Sequence, residues 1–164
     1  MANVMRHRME AMREEMCPVT ATAAIDVGDL LVLFDADNML NGTTYGNTAN
    51  YKVVPFSAIQ TAGVAADEAI ASDHFIGVAM DASATDETDD ILVATDGVFE
   101  FILDSATTIN IADQLEVYST GAGAVADQTV TKGTTDPLGR ATLAGTSLTS
   151  VRVRIATKYR PVFA

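Results

Sequence analysis

His7 and His74 are the only imidazoles in this 164-residue chain. Nucleophilic hydrolysis needs a base beside its nucleophile, so a serine or threonine mechanism would run through one of them. His7 lies in a charged N-terminal stretch, and His74 is predicted to head a strand. No Gly-x-Ser-x-Gly turn accompanies either. An enzyme would instead require a convergent polar pocket around His74 with carboxylates nearby.

The other candidate groups also lack their partners. Asp86, Glu87, Asp89 and Asp90 could gather calcium, but the Asp-x-Asp-x-Asp-Gly series is absent and such runs form solvated turns. Asp35, Asp37 and Asn38 begin like a calcium loop, yet Leu40 stands where glycine is needed. "TKGTTD" has Lys132 ahead of its glycine, and "GAGAVA" lacks a third glycine and a following helix, so neither is a phosphate cradle. Cys17 is the sole cysteine, which excludes an intrachain disulfide and the cysteine-rich zinc spacings. Beside Pro18 it reads as a small apolar boundary residue; a reactive thiol would need the neighbouring arginines to lower its pKa. We therefore expect no catalytic residue, cofactor, metal or small-molecule substrate.

Two regions of different composition would position whatever this chain does. Residues 1–17, the first region, hold Arg6, Arg8 and Arg13 against Glu10, Glu14 and Glu15, so the net charge of -12 belongs to residues 18–164. An acidic body without a basic stripe repels phosphate backbones, which argues against nucleic acid as a direct partner. No apolar run approaches a membrane span, and charges occupy the place of a signal peptide's apolar region, so no membrane partner is expected.

Within the first region, Met1, Met5, Met9, Met12 and Met16 recur at spacings of four, four, three and four, which is the contact repeat of a helix. Arg6, Arg8 and Arg13 fall between them, and Pro18 closes the element. Such a helix packs its methionine face either on its own domain or on a partner. We favour the partner, because isolated helices of this length are marginal in water and methionine adapts to irregular surfaces. The candidate partner-binding residues are therefore Met1, Met5, Arg6, Arg8, Met9, Met12, Arg13 and Met16.

From Pro18 onward Val, Ile, Thr, Ala and Gly dominate in short alternations, which suits strands. Strands are predicted in "VTATAAI", "LLVLF", "YKVVPF" with Pro55 marking an edge, "HFIGVAM", "ILVAT", "VFEFIL", "QLEVYST", "AVADQTV" and "SVRVRIATKY". A surface excursion is expected over residues 35–50, one or two helical turns around Ala65 to Ala71, a hairpin at Asp96-Gly97, and a loop from Gly133 to Gly139. About eight short strands point to an all-β or mainly β body, as a sandwich or small barrel.

"AIDVGDLLVLF", "HFIGVAMDASATDETDDILVATDGVFEF", "INIADQLEVYS" and "VRVRIA", in this order, resemble a family of short phage-associated proteins of unknown function. They are also similar to lambda-type head decoration proteins, in which a glycine-led strand, an acidic turn and a Gly-x-Phe hairpin recur. The resemblance spans residues 22–118 and 150–156; the N-terminal arm and the 35–50 excursion have no counterpart. It implies a β-tulip-like body with an extended or helical arm. It also implies a homotrimer on the outer capsid surface of the virion, made in the host cytoplasm, whose partners are the major capsid protein and itself. Other readings are a head-fibre base, a tail component or a soluble binding domain such as a lectin, although glycan binding favours exposed aromatics and the chain has no Trp and only four Tyr.

Overall fold

The computed structural model describes residues 13–20, 23–34, 52–58, 68–69, 71, 73–119, 125–135 and 137–157. Among the described residues nine strands follow in order: β1 (Arg13–Cys17), β2 (Leu30–Phe34), β3 (Lys52–Pro55), β4 (Phe75–Ala79), β5 (Ile91–Ile109), β6 (Gln114–Ser119), β7 (Val125–Lys132), β8 (Gly139–Ala141) and β9 (Gly145–Ala156). The body is mainly β, as the composition implies. Of the sandwich and the barrel, the barrel is the form taken: β5, β7, β6, β8 and β9 pair in a closed ring of five strands.

The 19-residue β5 belongs to two structures at once. Its first part pairs with β4 on one edge and β1 on the other, extending through β2 to β3 as an open sheet. Its later part pairs with β7 and β9 and enters the barrel. The hairpin expected at Asp96-Gly97 does not form, and "ILVAT" and "VFEFIL" are one continuous strand. Aspartate-glycine is a local turn signal, but here β1 pairs with β5 as far as Asp96 and β9 pairs with it from Asp96 onward, which holds it extended. Gly97 serves that change of partner instead, at φ 150°, a backbone conformation that side chains rarely adopt. Val93 and Phe99 would share a face in a regular strand, yet Val93 joins one apolar cluster and Phe99 the other.

The larger core fills the barrel and continues under the sheet, from Phe99, Phe101, Leu115, Val130 and Val153 to Phe75, Val32 and Phe56. The smaller lies on the sheet's opposite face, where Cys17, Val19 and Ile25 cover Leu31, Val53, Ile76, Ala79, Ile91 and Val93. A sheet buried on both faces explains the unbroken apolar runs "LLVLF" and "FIGVA", which lack the alternation of a half-exposed strand. Gly77 lets β4 serve both layers: the register passes from Leu31↔Gly77 to Val32↔Phe75, a bulge. A β-carbon there would stand 2.2 Å from the Ala94 carbonyl oxygen.

Other expectations meet the structure unevenly. The described residues of "VTATAAI" contribute only isolated bridges, Val19 to Val53 and Ile25 to Ser83. β3 is terminal in the strand order, in keeping with Pro55. Glu68, Ala69, Ala71, Asp73 and His74 have helical backbone, so His74 ends that segment and β4 begins at Phe75. β8 lies at the close of what reads as a Gly133–Gly139 loop. The 35–50 excursion lies outside the described residues.

Candidate docking surface

Of the eight candidate partner-binding residues, Met1, Met5, Arg6, Arg8, Met9 and Met12 lie outside the described residues. Arg13 and Met16 are described, and they correct the helical reading of residues 13–16. These residues form β1, paired antiparallel with β5 from Arg13↔Asp96 to Cys17↔Ile91. The methionine repeat competes here with strand pairing, and pairing wins because Cys17 reaches full burial in the smaller core while Met16 turns outward, 51% exposed. The final five residues of the arm are thus part of the sheet.

The chemistry around β1 is structural. The Arg13 guanidinium pairs with the Glu15 carboxylate at 2.8 Å, and the Thr95 hydroxyl donates to the Arg13 carbonyl. Burial, then the nearby Glu15 and Asp90 carboxylates, push the Cys17 thiol up to about 12. The thiolate is therefore strongly disfavoured, in keeping with a boundary residue rather than a nucleophile.

Around this end of the sheet the surface is acidic. Asp81, Asp86, Glu87, Asp89 and Asp90 line the exposed connection from β4 to β5. Asp81 accepts from the Leu92 amide at 3.1 Å and Glu87 from the Ala84 amide at 2.7 Å, so two carboxylates shape the turn. Among the described residues no three His, Cys, Asp or Glu side chains are grouped to hold a metal ion. Val27, 45% exposed, sits close by, since Ile25 bridges Ser83 and the Gly28 amide donates to the Ala79 carbonyl.

At the far end of the molecule the barrel presents a different surface. Arg140 and Arg154 are directly opposite one another across β8 and β9, and Arg152 projects from the same face two residues along. Arg154 reaches Asp96 at 3.3 Å, and Arg140 donates to the Ala112 carbonyl at 3.2 Å. The β5–β6 turn beside them is firmly held. Asp113 accepts from the Asn110 amide at 2.7 Å and pairs with Lys132 at 2.6 Å, and the Lys132 hydrogen bond holds its carboxyl below the usual range. That turn exposes Ile111 (68%), and the β8–β9 turn, tied to it by the Ala112 amide on the Ala141 carbonyl, exposes Leu143 (43%).

These residues are legible in the sequence. The alternation Val151-Arg152-Val153-Arg154 places both arginines on the outward face of a strand. Charge also divides along the chain: residues 18–131 hold eighteen acidic side chains and one basic, whereas residues 132–164 hold six basic and one acidic. Averaging over the body hides this division. No family profile, curated protein or solved structure matches the chain.

Proposed function

We propose that this protein is a structural component of a phage virion, a decoration protein that sits as homotrimers on the outside of an icosahedral capsid and cements neighbouring major capsid protein subunits. The observation that carries the reading is where the family-like segments fall. "AIDVGDLLVLF", the 74–101 stretch, "INIADQLEVYS" and "VRVRIA" supply β2, β4, most of β5, β6 and the end of β9, which together frame the sheet and the barrel. The resemblance therefore follows the architecture rather than one loop. A rigid, doubly layered β-body without an assigned reactive group suits a cement, whose work is contact area.

The arm acts as the clamp in this reading. Burying one methionine is worth about 1.5–3 kcal/mol, while fixing its rotamers costs up to about 2 kcal/mol. Several methionines must therefore act together, with Arg6, Arg8 and Arg13 adding rim pairs of about 0–1 kcal/mol each. Arg13 and Met16 stand at the root of the arm, both exposed on β1. The test is to mix the purified chain with empty expanded heads and measure co-sedimentation and stoichiometry. Saturable binding in threes is expected, with Met5→Asp/Met9→Asp weakening it. A chain that is monomeric both free and on the particle, or one that ignores heads, overturns the reading.

A further inference from the structure

The four large apolar side chains exposed among the described residues are Met16, Val27, Ile111 and Leu143. They divide between the two oppositely charged ends of the molecule. Val27 and Met16 flank the acidic 81–90 turn: Met16 is opposite Leu92, whose amide is bound by Asp81, and Val27 belongs to the segment tied to Ala79 and Ser83. Ile111 and Leu143 flank the arginine face. Each end thus has exposed apolar groups beside charged ones, carboxylates at the first and, at the second, three arginines against Asp96 and Glu100, the arrangement of an interface with an apolar centre and a polar rim.

The chain cannot satisfy this complementarity within itself. Asp90 immediately precedes β5, and Arg152 is opposite Glu100, ten positions further along the same strand. At about 3.3 Å per residue that is roughly 33 Å of paired β-structure. Meanwhile Arg140 faces Arg154 directly, and like charges opposite one another across a sheet repel. Arg154 pairs with Asp96 and Arg152 stands opposite Glu100, while Arg140 enters no ion pair among the described residues, so the face retains the positive charge of Arg140 in a chain of net charge -12. The Ile111 turn is braced by Asp113, Lys132, Arg140 and Ala141, so little ordering is lost when it is covered.

We infer that the arginine-bearing end of the barrel, Arg140, Arg152 and Arg154 with Ile111 and Leu143, docks the acidic 81–90 turn of a second copy of this chain. This deepens the self-association in the proposed function and rests on that part of it. The contact is head-to-tail, between two different surfaces, and such contacts make rings when the rotation between copies closes.

The test uses the full chain in sedimentation velocity at low and high salt. Arg140→Glu/Arg152→Glu and, separately, Asp89→Arg/Asp90→Arg should each weaken self-association about tenfold or more, and their equimolar mixture should recover it in part, since a ring of three always leaves one contact between like variants. Ile111→Ser, which alters no charge, should also weaken it and serves should the arginine variant fail to fold, as judged by its melting curve. The inference is overturned if the unaltered chain does not self-associate, if the variants associate as it does, or if the mixture recovers nothing. Should the arginine variant self-associate normally yet lose attachment to heads, its face meets the capsid: this inference then fails while the decoration reading stands. Normal self-association disrupted as described, with no affinity for heads, gives the reverse result.

Discussion

The two parts of β5 belong to one continuous strand and have different surroundings. In the sheet, Val93 and Ala94 are adjacent and both fully buried, one in each core, because chain lies on both faces. In the barrel, Phe99, Phe101 and Leu103 point into the single core and alternate with partly exposed Glu100 and Ile102. The barrel part can therefore carry charge on its outer face, and does so through Asp96 and Glu100 beside Arg154 and Arg152. The sheet part cannot, and depends on the N-terminal segment to cover its second face. Cys17, Val19 and Ile25 thus complete the second core on that face.

The sharpest way to break that comparison is at Gly77. A β-carbon there meets the Ala94 backbone at 2.2 Å, and the φ of +156° disfavours any side chain. Gly77→Ala should cost about 3 kcal/mol, seen as a lower urea midpoint, since both overpacking and backbone strain lie in the 1–3 kcal/mol range. A variant as stable as the parent would mean that the bulge relaxes freely and the two layers are not tightly coupled.

A deletion series gives the next largest effect and separates the arm from the sheet. Removing residues 2–12 leaves every pairing of β1 in place, so the melting temperature should hold while attachment to heads weakens. Extending the deletion to residue 17 removes β1 and the fully buried Cys17, and about 2 kcal/mol of stability should go with them. Equal melting curves for the two deletions would show that β1 adds nothing to the second core.

The smallest effect concerns the seam between the two halves. Asp29, at the start of β2, accepts from the Gln128 side chain on β7 at 3.0 Å and from the Asp26 amide at 2.8 Å. Burial nevertheless holds its carboxyl above the ordinary value, outweighing those hydrogen bonds. The folded chain then keeps the proton to a higher pH than the unfolded chain. The associated stability is full below the unfolded value of about 3.9 and is lost as pH rises through the folded one. Asp29→Asn can still accept from the Asp26 amide, while its N–H meets the Gln128 Nε2 donor until that amide rotates to accept it, so it should flatten this dependence and cost about 1 kcal/mol at neutral pH. An unchanged pH slope would remove Asp29 as its source.

Local chemistry made much of this molecule legible. Residues rich in Val, Ile and Thr, with period-two patterns at 114–119 and 151–155, specify strands because alternation presents one face to a core wherever that core lies. Pro55 marked an edge because proline lacks a donor for a further ladder. A single cysteine excluded an intrachain disulfide. Other features were decided by partners distant in sequence. Asp96-Gly97 would turn if its flanks met each other, but β1, more than 70 residues earlier, and β9, more than 40 residues later, pair with β5 there instead. The methionine spacing describes a helix only until the chain reaches Arg13, where an open strand edge satisfies the backbone and a waiting core takes Cys17. The arginine face follows the same rule: strand period turned Arg152 and Arg154 outward, but only the pairing of β8 with β9 set Arg140 beside them, since cross-strand neighbours come from register and register comes from the closed barrel.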